Sequence, residues 1–263
     1  MNGCASAPSR WRSIACGATC RGCRSSSAST SRRPEPGAGG VKNRLVLLLT
    51  GVGGYVDAVS YLALGRVFTA NMTGNTVLLG LALVQGDTAG AGRSALALGG
   101  FLAGGALGAR LVARGPRPAV WPRGVTVALI AEGALLAALA VTHLAVVAGE
   151  STLVAGRVVL AALAMGVQSA AARRLDVSGI TTTFVTGTLT NLMSLIALHG
   201  VVPGAGGQSK RLLAAAWVVY ILGAMAAAAA MQTAPAPGLL VPVVLVLVVI
   251  VGAGGRYWSD AGP

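Results

Sequence analysis

Six long apolar stretches, each of about 17 to 24 residues, recur between Leu45 and the C-terminus: 45–64, 94–112, 124–147, 152–170, 212–231 and 238–254. A bilayer's hydrocarbon core takes about 20 apolar residues of helix to cross. Inside it only an α-helix or a closed barrel satisfies its own backbone hydrogen bonds. The runs are continuous rather than alternating with period two, which selects helix. The fold class predicted is therefore an all-α membrane protein. Composition agrees. Of 263 residues, 54% are hydrophobic and only 10% charged, where a soluble domain carries about 25% charged. Mean hydropathy is +0.74. Small residues crowd the spans, and Gly99-Gly100, Gly104-Gly105 and Gly108 fit close helix approach in lipid.

Two shorter segments, 67–85 and 180–198, break the pattern. Each sets a Thr-Gly pair (Thr73-Gly74 and Thr186-Gly187) in a polar patch just before a short apolar run. Polar, glycine-broken segments in matching positions of two halves point to a transporter-type site. Loop charge bears on whether they cross. The N-terminus is basic, and so are the loop 113–123 (Arg114, Arg117, Arg123), Arg173-Arg174 and Lys210-Arg211. All of these fall on the cytoplasmic side when the six long runs cross and the two short ones re-enter. Eight full crossings would put the 113–123 loop outside. Aligning Thr73-Gly74 with Thr186-Gly187 offsets the halves by 113 residues and brings Gly53 onto Gly166. With six crossings the halves, 41–147 and 148–263, are expected to be inverted repeats. Chance recurrence of Thr-Gly in a Gly-rich chain is the competing account.

The residues with chemistry follow from this layout. A helix starting inside the protein presents free N–H groups and the positive end of its dipole. Asn71, Thr73, Gly74 and Asn75 at the first start, and Thr186, Gly187, Thr188 and Asn191 at the second, are the candidate substrate-binding set. Ordinary helix capping by the same residues is the plainer alternative. Asp57 lies about 12 residues into the first run, near mid-membrane. An acid there is a functional candidate by default. It either binds solute or exchanges a proton, or else it bonds to Ser60, a backbone N–H or a neighbouring helix. Glu132 is the second proton-coupling candidate. Arg157 is expected to snorkel and Gln168 to join helices. Trp121, Trp217, Tyr257 and Trp258 suit interface anchoring.

Residues 1–40 are rich in Ser, Arg, Gly and Pro, lack apolar periodicity and are expected to be disordered, as an extension or a misassigned start. Eight basic residues precede residue 45, and they set membrane orientation more readily than they bind nucleic acid. Cys16, Cys20 and Cys23 have the C-x3-C-x2-C spacing that holds an iron–sulfur cluster in radical enzymes using S-adenosylmethionine. Hydrophobic spans follow where such an enzyme needs a soluble barrel, so no metal and no cofactor are expected.

The run Gly53-Gly-Tyr-Val-Asp57-Ala-Val-Ser60, continuing through Phe68-Thr-Ala-Asn71-Met-Thr-Gly-Asn75, resembles the YoaK-like family of bacterial inner-membrane proteins. So does Gly166-Val-Gln168-Ser-Ala with Thr181-Thr-Thr-Phe-Val-Thr-Gly-Thr-Leu-Thr-Asn191. The likeness covers about 42–255. It implies a multi-pass protein of the bacterial inner membrane and no defined activity, since that family is one of unknown function. The function expected is a small-solute or ion permease, not an enzyme, with its N-terminus cytoplasmic. A passive channel and a non-transporting scaffold are the alternatives. Expected partners are the lipid bilayer and an unknown small solute or ion, without nucleic acid; a homo-oligomer stays open.

Overall fold

The computed structural model describes residues 38–113, 120–145, 151–175, 185–197 and 210–257. Among them the chain is all-helical. The helices are α1 (Ala38–Ala63), α2 (Met72–Gln85), α3 (Thr88–Val112), α4 (Arg123–Ala145), α5 (Ser151–Leu175), α6 (Val185–Ala197), α7 (Lys210–Thr233), α8 (Pro235–Gly238) and α9 (Val241–Tyr257). Six segments are long and apolar enough to cross a membrane: 40–63, 88–112, 123–144, 153–175, 210–233 and 235–257. They coincide with the six apolar runs of the sequence. The 14-residue α2 and the 13-residue α6 are too short, at 1.5 Å per residue. The tail, with Cys16, Cys20 and Cys23, lies outside the described residues up to residue 37. The loop arginines Arg114 and Arg117 and the anchor Trp258 also lie outside them.

Local signals set the breaks. Asn71 caps α2 by accepting from the Gly74 N–H. Gly86 ends it in the left-handed conformation, φ 72°, which costs glycine little. Asp87 then caps α3 by accepting from Gly90. Exposed large side chains such as Val84, Leu102 and Val251 form an apolar outer surface suited to lipid.

Four helices close into a ring in which α1 packs on α5, α5 on α4, α4 on α9 and α9 on α1. Specific contacts give their directions. Lys42 Nζ donates to the Leu175 carbonyl (3.1 Å), and Gln168 Nε2 donates to that of Leu49, so α1 and α5 are antiparallel. Tyr55 Oη donates to the Gly238 carbonyl at 2.6 Å, while Leu45 lies beside Gly252, so α1 and α9 are antiparallel. Trp121 stacks on Tyr257 with ring centroids 5.8 Å apart, and Gly133 faces Val246, so α4 and α9 are antiparallel too. It follows that α4 and α5 also oppose each other.

The last two spans attach by glycine faces. A methyl group at Gly104 would overlap the Leu163 carbonyl, and one at Gly108 would meet the Val167 backbone at 2.9 Å. With Gly100 against Val159 and Ala162, these three place α3 parallel to α5. Gly99 faces open space and Gly105 has only distant neighbours. Of the five glycines read as a close-packing set, therefore, Gly100, Gly104 and Gly108, spaced by four residues, are those whose own side-chain position is closed by α5, while the Gly105 backbone lies against Gly166. At the α1–α7 crossing, a methyl group at Gly54 would overlap the Tyr220 carbonyl, and one at Gly223 that of Gly51. Leu62 and Ala63 share a hollow with Ala228 and Met231, which makes α1 and α7 parallel.

These directions alternate along α1, α3, α4, α5, α7 and α9. Lys42, Arg44, Arg110, Arg123, Arg173, Arg174, Lys210, Arg211 and Arg256 therefore gather at one end of the bundle. Arg66, Arg93 and Arg157 lie toward the other.

Candidate functional site

After α1 the chain reverses and turns back alongside it. The reversal runs through Gly65 (φ 87°) and Arg66 (φ 61°), both left-handed. Such a turn favours glycine, and a side chain at 65 would also strike Arg93 Cδ at 2.6 Å. Arg93 Nε donates to the Gly65 carbonyl at 3.1 Å and ties the turn to α3.

Asp57 organises the returning strand of chain. Its Oδ1 accepts from the backbone N–H groups of Thr69 (2.8 Å), Ala70 (2.7 Å) and Asn71 (3.4 Å). Its Oδ2 accepts from Tyr220 Oη at 2.6 Å. Ser60 and Thr69 share a hydroxyl hydrogen bond of 3.0 Å. Asn75, fully buried, clamps the backbone of Phe68: its Oδ1 accepts from the Phe68 N–H (2.9 Å) and its Nδ2 donates to the Phe68 carbonyl. Phe68 stacks on Tyr61, with centroids 5.4 Å apart. The start of α2 is thus folded inward to the level of Asp57, six residues short of the end of α1.

Asp57, Asn71, Gly74 and Asn75 therefore form one cluster, as their spacing suggested. Thr73, at its edge, is exposed. Gly74 is needed for packing, because a side chain there would meet the Phe68 ring at 2.9 Å. Most of the cluster's polar atoms bond to one another, so they build the re-entrant turn itself. Of the three structural partners considered for Asp57, it takes backbone N–H groups and a neighbouring helix, while Ser60 bonds Thr69.

The second start differs. Thr186 and Gly187 are exposed, Thr188 is buried and Asn191 half-buried. Nothing lies within 4 Å of a methyl group at Gly187. Thr190 bonds back to the Thr186 carbonyl at 3.0 Å within α6. Residues 180–184, part of the quoted motif, lie outside the described residues. Helix α2 packs on α3 and α6 on α7, and the two short helices do not pack on each other. The two candidate helix starts thus rest on different spans, α2 on α3 and α6 on α7. Glu132 stands on α4, and neither of its carboxyl oxygens has a hydrogen-bond partner among the described residues, so it makes no acid pair with Asp57.

Beside the Asp57 cluster lies a groove of about 320 Å³ between α1 and α7, lined by Gly54, Asp57, Ala58, Tyr61, Phe68 and Tyr220, among others. Tyr220 is the functional candidate that sequence reading missed. Its signal was a hydroxyl at the middle of an otherwise apolar span. Arg157 also departs from expectation. It does not snorkel: it is 6% exposed, and its Nη2 donates to the Thr142 carbonyl at 2.6 Å. Among the described residues no group of three or more His, Cys, Asp or Glu could hold a metal ion.

A family model described as "Protein of unknown function (DUF1275)" matches residues 45–252. The UPF0700 transmembrane protein YoaK of Bacillus subtilis (strain 168) is 37% identical over 160 residues, covering 61% of this chain and 69% of that protein. No solved structure matches.

Proposed function

We propose that this chain, which belongs to the DUF1275 family of unknown function and is a multi-pass membrane protein, is a small-solute or ion permease of the bacterial inner membrane built from two inverted repeats. The observation that carries the reading is the packing pattern. Exchange α1 with α5, α2 with α6, α3 with α7 and α4 with α9. The pair α1–α7 then becomes α5–α3, α1–α9 becomes α5–α4, and α2–α3 becomes α6–α7, and every one of these pairs exists. Each exchanged long helix runs opposite to its counterpart. Inverted repeats with a broken helix in each half are the architecture of many secondary transporters. The nine basic residues at one end, against three toward the other, support a cytoplasmic N-terminus.

In this reading the solute enters the groove at Asp57 and Tyr220, beside the re-entrant start Asn71, Thr73, Gly74 and Asn75. A second hollow of about 340 Å³ between α3 and α5, lined by Ala170, Arg173 and Arg174, matches it at the opposite end. The offset of 113 puts Ala170 where the first half has Asp57, and Leu107 where the second has Tyr220. The acid–hydroxyl pair therefore exists on one side only, and Thr186, Gly187, Thr188 and Asn191 serve a less polar counterpart.

Ligand-dependent thermal stabilisation of the purified protein tests the reading, with anions, amino acids, weak acids and nucleobases as probes. A ligand at about 100 times its Kd stabilises by about 2.7 kcal/mol. The expected result is a probe that stabilises the native chain but not Ala58→Phe, which fills the groove. A folded protein that responds to none of the panel, and carries no flux in vesicles, would replace the permease with a scaffold. The saturated hydrogen bonds around Asp57 are the observation that favours that second reading.

A further inference from the structure

The centre of the four-helix ring holds polar groups that the groove does not use. Glu132 is fully buried, and neither of its carboxyl oxygens has a hydrogen-bond partner among the described residues. Gln168 is equally buried. Its Nε2 donates to the Leu49 carbonyl, which can only accept, so the amide orientation is fixed. Its Oε1 is left without a partner among the described residues.

The register brings these two groups to one layer. The bond from Arg157 to the Thr142 carbonyl pins α5 against α4. Glu132 precedes Thr142 by ten residues and Gln168 follows Arg157 by eleven. On antiparallel helices both steps descend about 15 to 17 Å. Eleven residues is also close to three full turns, so Gln168 lies on the same α5 face as Arg157, the face turned to α4. Glu132 sits in the buried stripe Val125, Leu129, Leu136 and Leu139 of α4, and Val246 of α9 packs beside it on Gly133.

Among the described residues, no donor reaches either Glu132 oxygen or Gln168 Oε1. A carboxylate and an amide oxygen are both acceptors, and two acceptors repel unless a hydrogen or a cation stands between them. Thr50, the nearest hydroxyl on α1, already donates to the Val46 carbonyl at 3.0 Å. No described basic side chain shares the depth. On α5 the titratable groups are Arg157, Arg173 and Arg174; on α9, Arg256 and Tyr257; on α3, Arg93 and Arg110; on α1, Lys42 and Arg44 in its first turns and Tyr55, Asp57 and Tyr61 in its last third. On α4 itself they are Arg123 and His143. All lie toward the helix ends, and α8 carries none.

We propose that Glu132 and Gln168 form an internal proton-binding site, in which the protonated Glu132 carboxyl donates to Gln168 Oε1. One O–H bond forms on Glu132, the proton comes from hydronium, and water is released. A single proton thereby satisfies both acceptors and removes an uncompensated buried charge. The site stands independently of whether the chain transports. If it does, the proton lies in the ring and not at Asp57.

Infrared spectroscopy of the purified full chain tests this through the carbonyl stretch of a protonated carboxylic acid, which is separate from the amide and carboxylate bands. The native protein is expected to show such a band, shifted by deuteration. Glu132→Gln should remove it and Asp57→Asn should keep it. Gln168→Leu should move the band to higher frequency, because the acid loses its acceptor. An unmoved band in Gln168→Leu overturns the pairing. A native spectrum with no protonated-acid band overturns the site, and means that the carboxylate is ionised beside water or a metal cation. Stabilisation by sodium over choline that is lost in Glu132→Gln would name the cation as occupant, against the proposal. The native spectrum and Gln168→Leu decide the matter even if Glu132→Gln does not fold.

Discussion

Removing the Asp57 side chain should free the re-entrant turn while leaving the six spans in place. In Asp57→Ala the N–H groups of Thr69 and Ala70, both buried and now bonded at 2.8 and 2.7 Å, lose their acceptor, as does Tyr220 Oη. Each buried donor left without a partner costs about 1–3 kcal/mol. The third contact, to Asn71 at 3.4 Å, is long, and Asn71 is exposed, so its loss adds little. With three such donors the turn should lose about 3–9 kcal/mol of local stability. Asp57→Asn should cost much less, about 1–2 kcal/mol. Its amide oxygen keeps the two backbone bonds and its amide nitrogen can donate to Tyr220 Oη, so mainly the charge assistance is lost. Hydrogen exchange followed by mass spectrometry on peptides spanning 64–76 measures this directly, since opening free energy sets the exchange rate of protected amides. At about 1.4 kcal/mol per tenfold, Asp57→Ala should speed exchange at 69–71 by about 10²- to 10⁶-fold, and Asp57→Asn by about tenfold. Peptides from α4 and α5 should change little. Equal protection in Asp57→Ala and the native chain would refute the assignment of Asp57 as the anchor of the turn.

Gly104→Ala forces the α3 and α5 backbones apart and should lower thermal stability by about 1–3 kcal/mol. Gly99→Ala on the same helix meets nothing within 4 Å and should raise stability by about 0.5–1 kcal/mol through helix propensity; thermal unfolding of the two variants compares them. In a chain whose native cysteines have been replaced, a membrane-impermeant maleimide applied to intact cells should label Arg66→Cys. It should label Arg123→Cys and Arg211→Cys only after permeabilisation, whereas an eight-span chain would place Arg123 outside.

The six spans were legible because lipid enforces length, and each apolar run of the sequence forms a helix long and apolar enough to cross. The two short helices were legible for the complementary reason: 14 and 13 residues are too few to cross. Register was harder to read. Gly99-Gly100 and Gly104-Gly105 look alike in the sequence, yet only Gly100 and Gly104 have their side-chain position closed by α5, and that choice depends on where α5 sits. The site was half legible. Asp57 and Asn75 stood out as polar groups in an apolar setting, but their saturation depends on Thr69 and Ala70 folding back and on Tyr220 arriving from 163 residues away. Local spacing contains neither fact. Arg157 was misjudged for the same reason, since the carbonyl that receives it belongs to another helix.

Each glycine-faced pair, α1 with α7 and α3 with α5, joins one helix from the first half of the chain to one from the second. As the chain is made, α1 and α3 enter the membrane with their glycine faces bare, waiting for partners still to be synthesised. Neither half can complete itself, so a fragment ending near residue 147 would present two small-residue faces to lipid or to quality-control proteases. Assembly then runs by insertion of the early helices followed by late capture, and the order of synthesis becomes part of how the bundle closes.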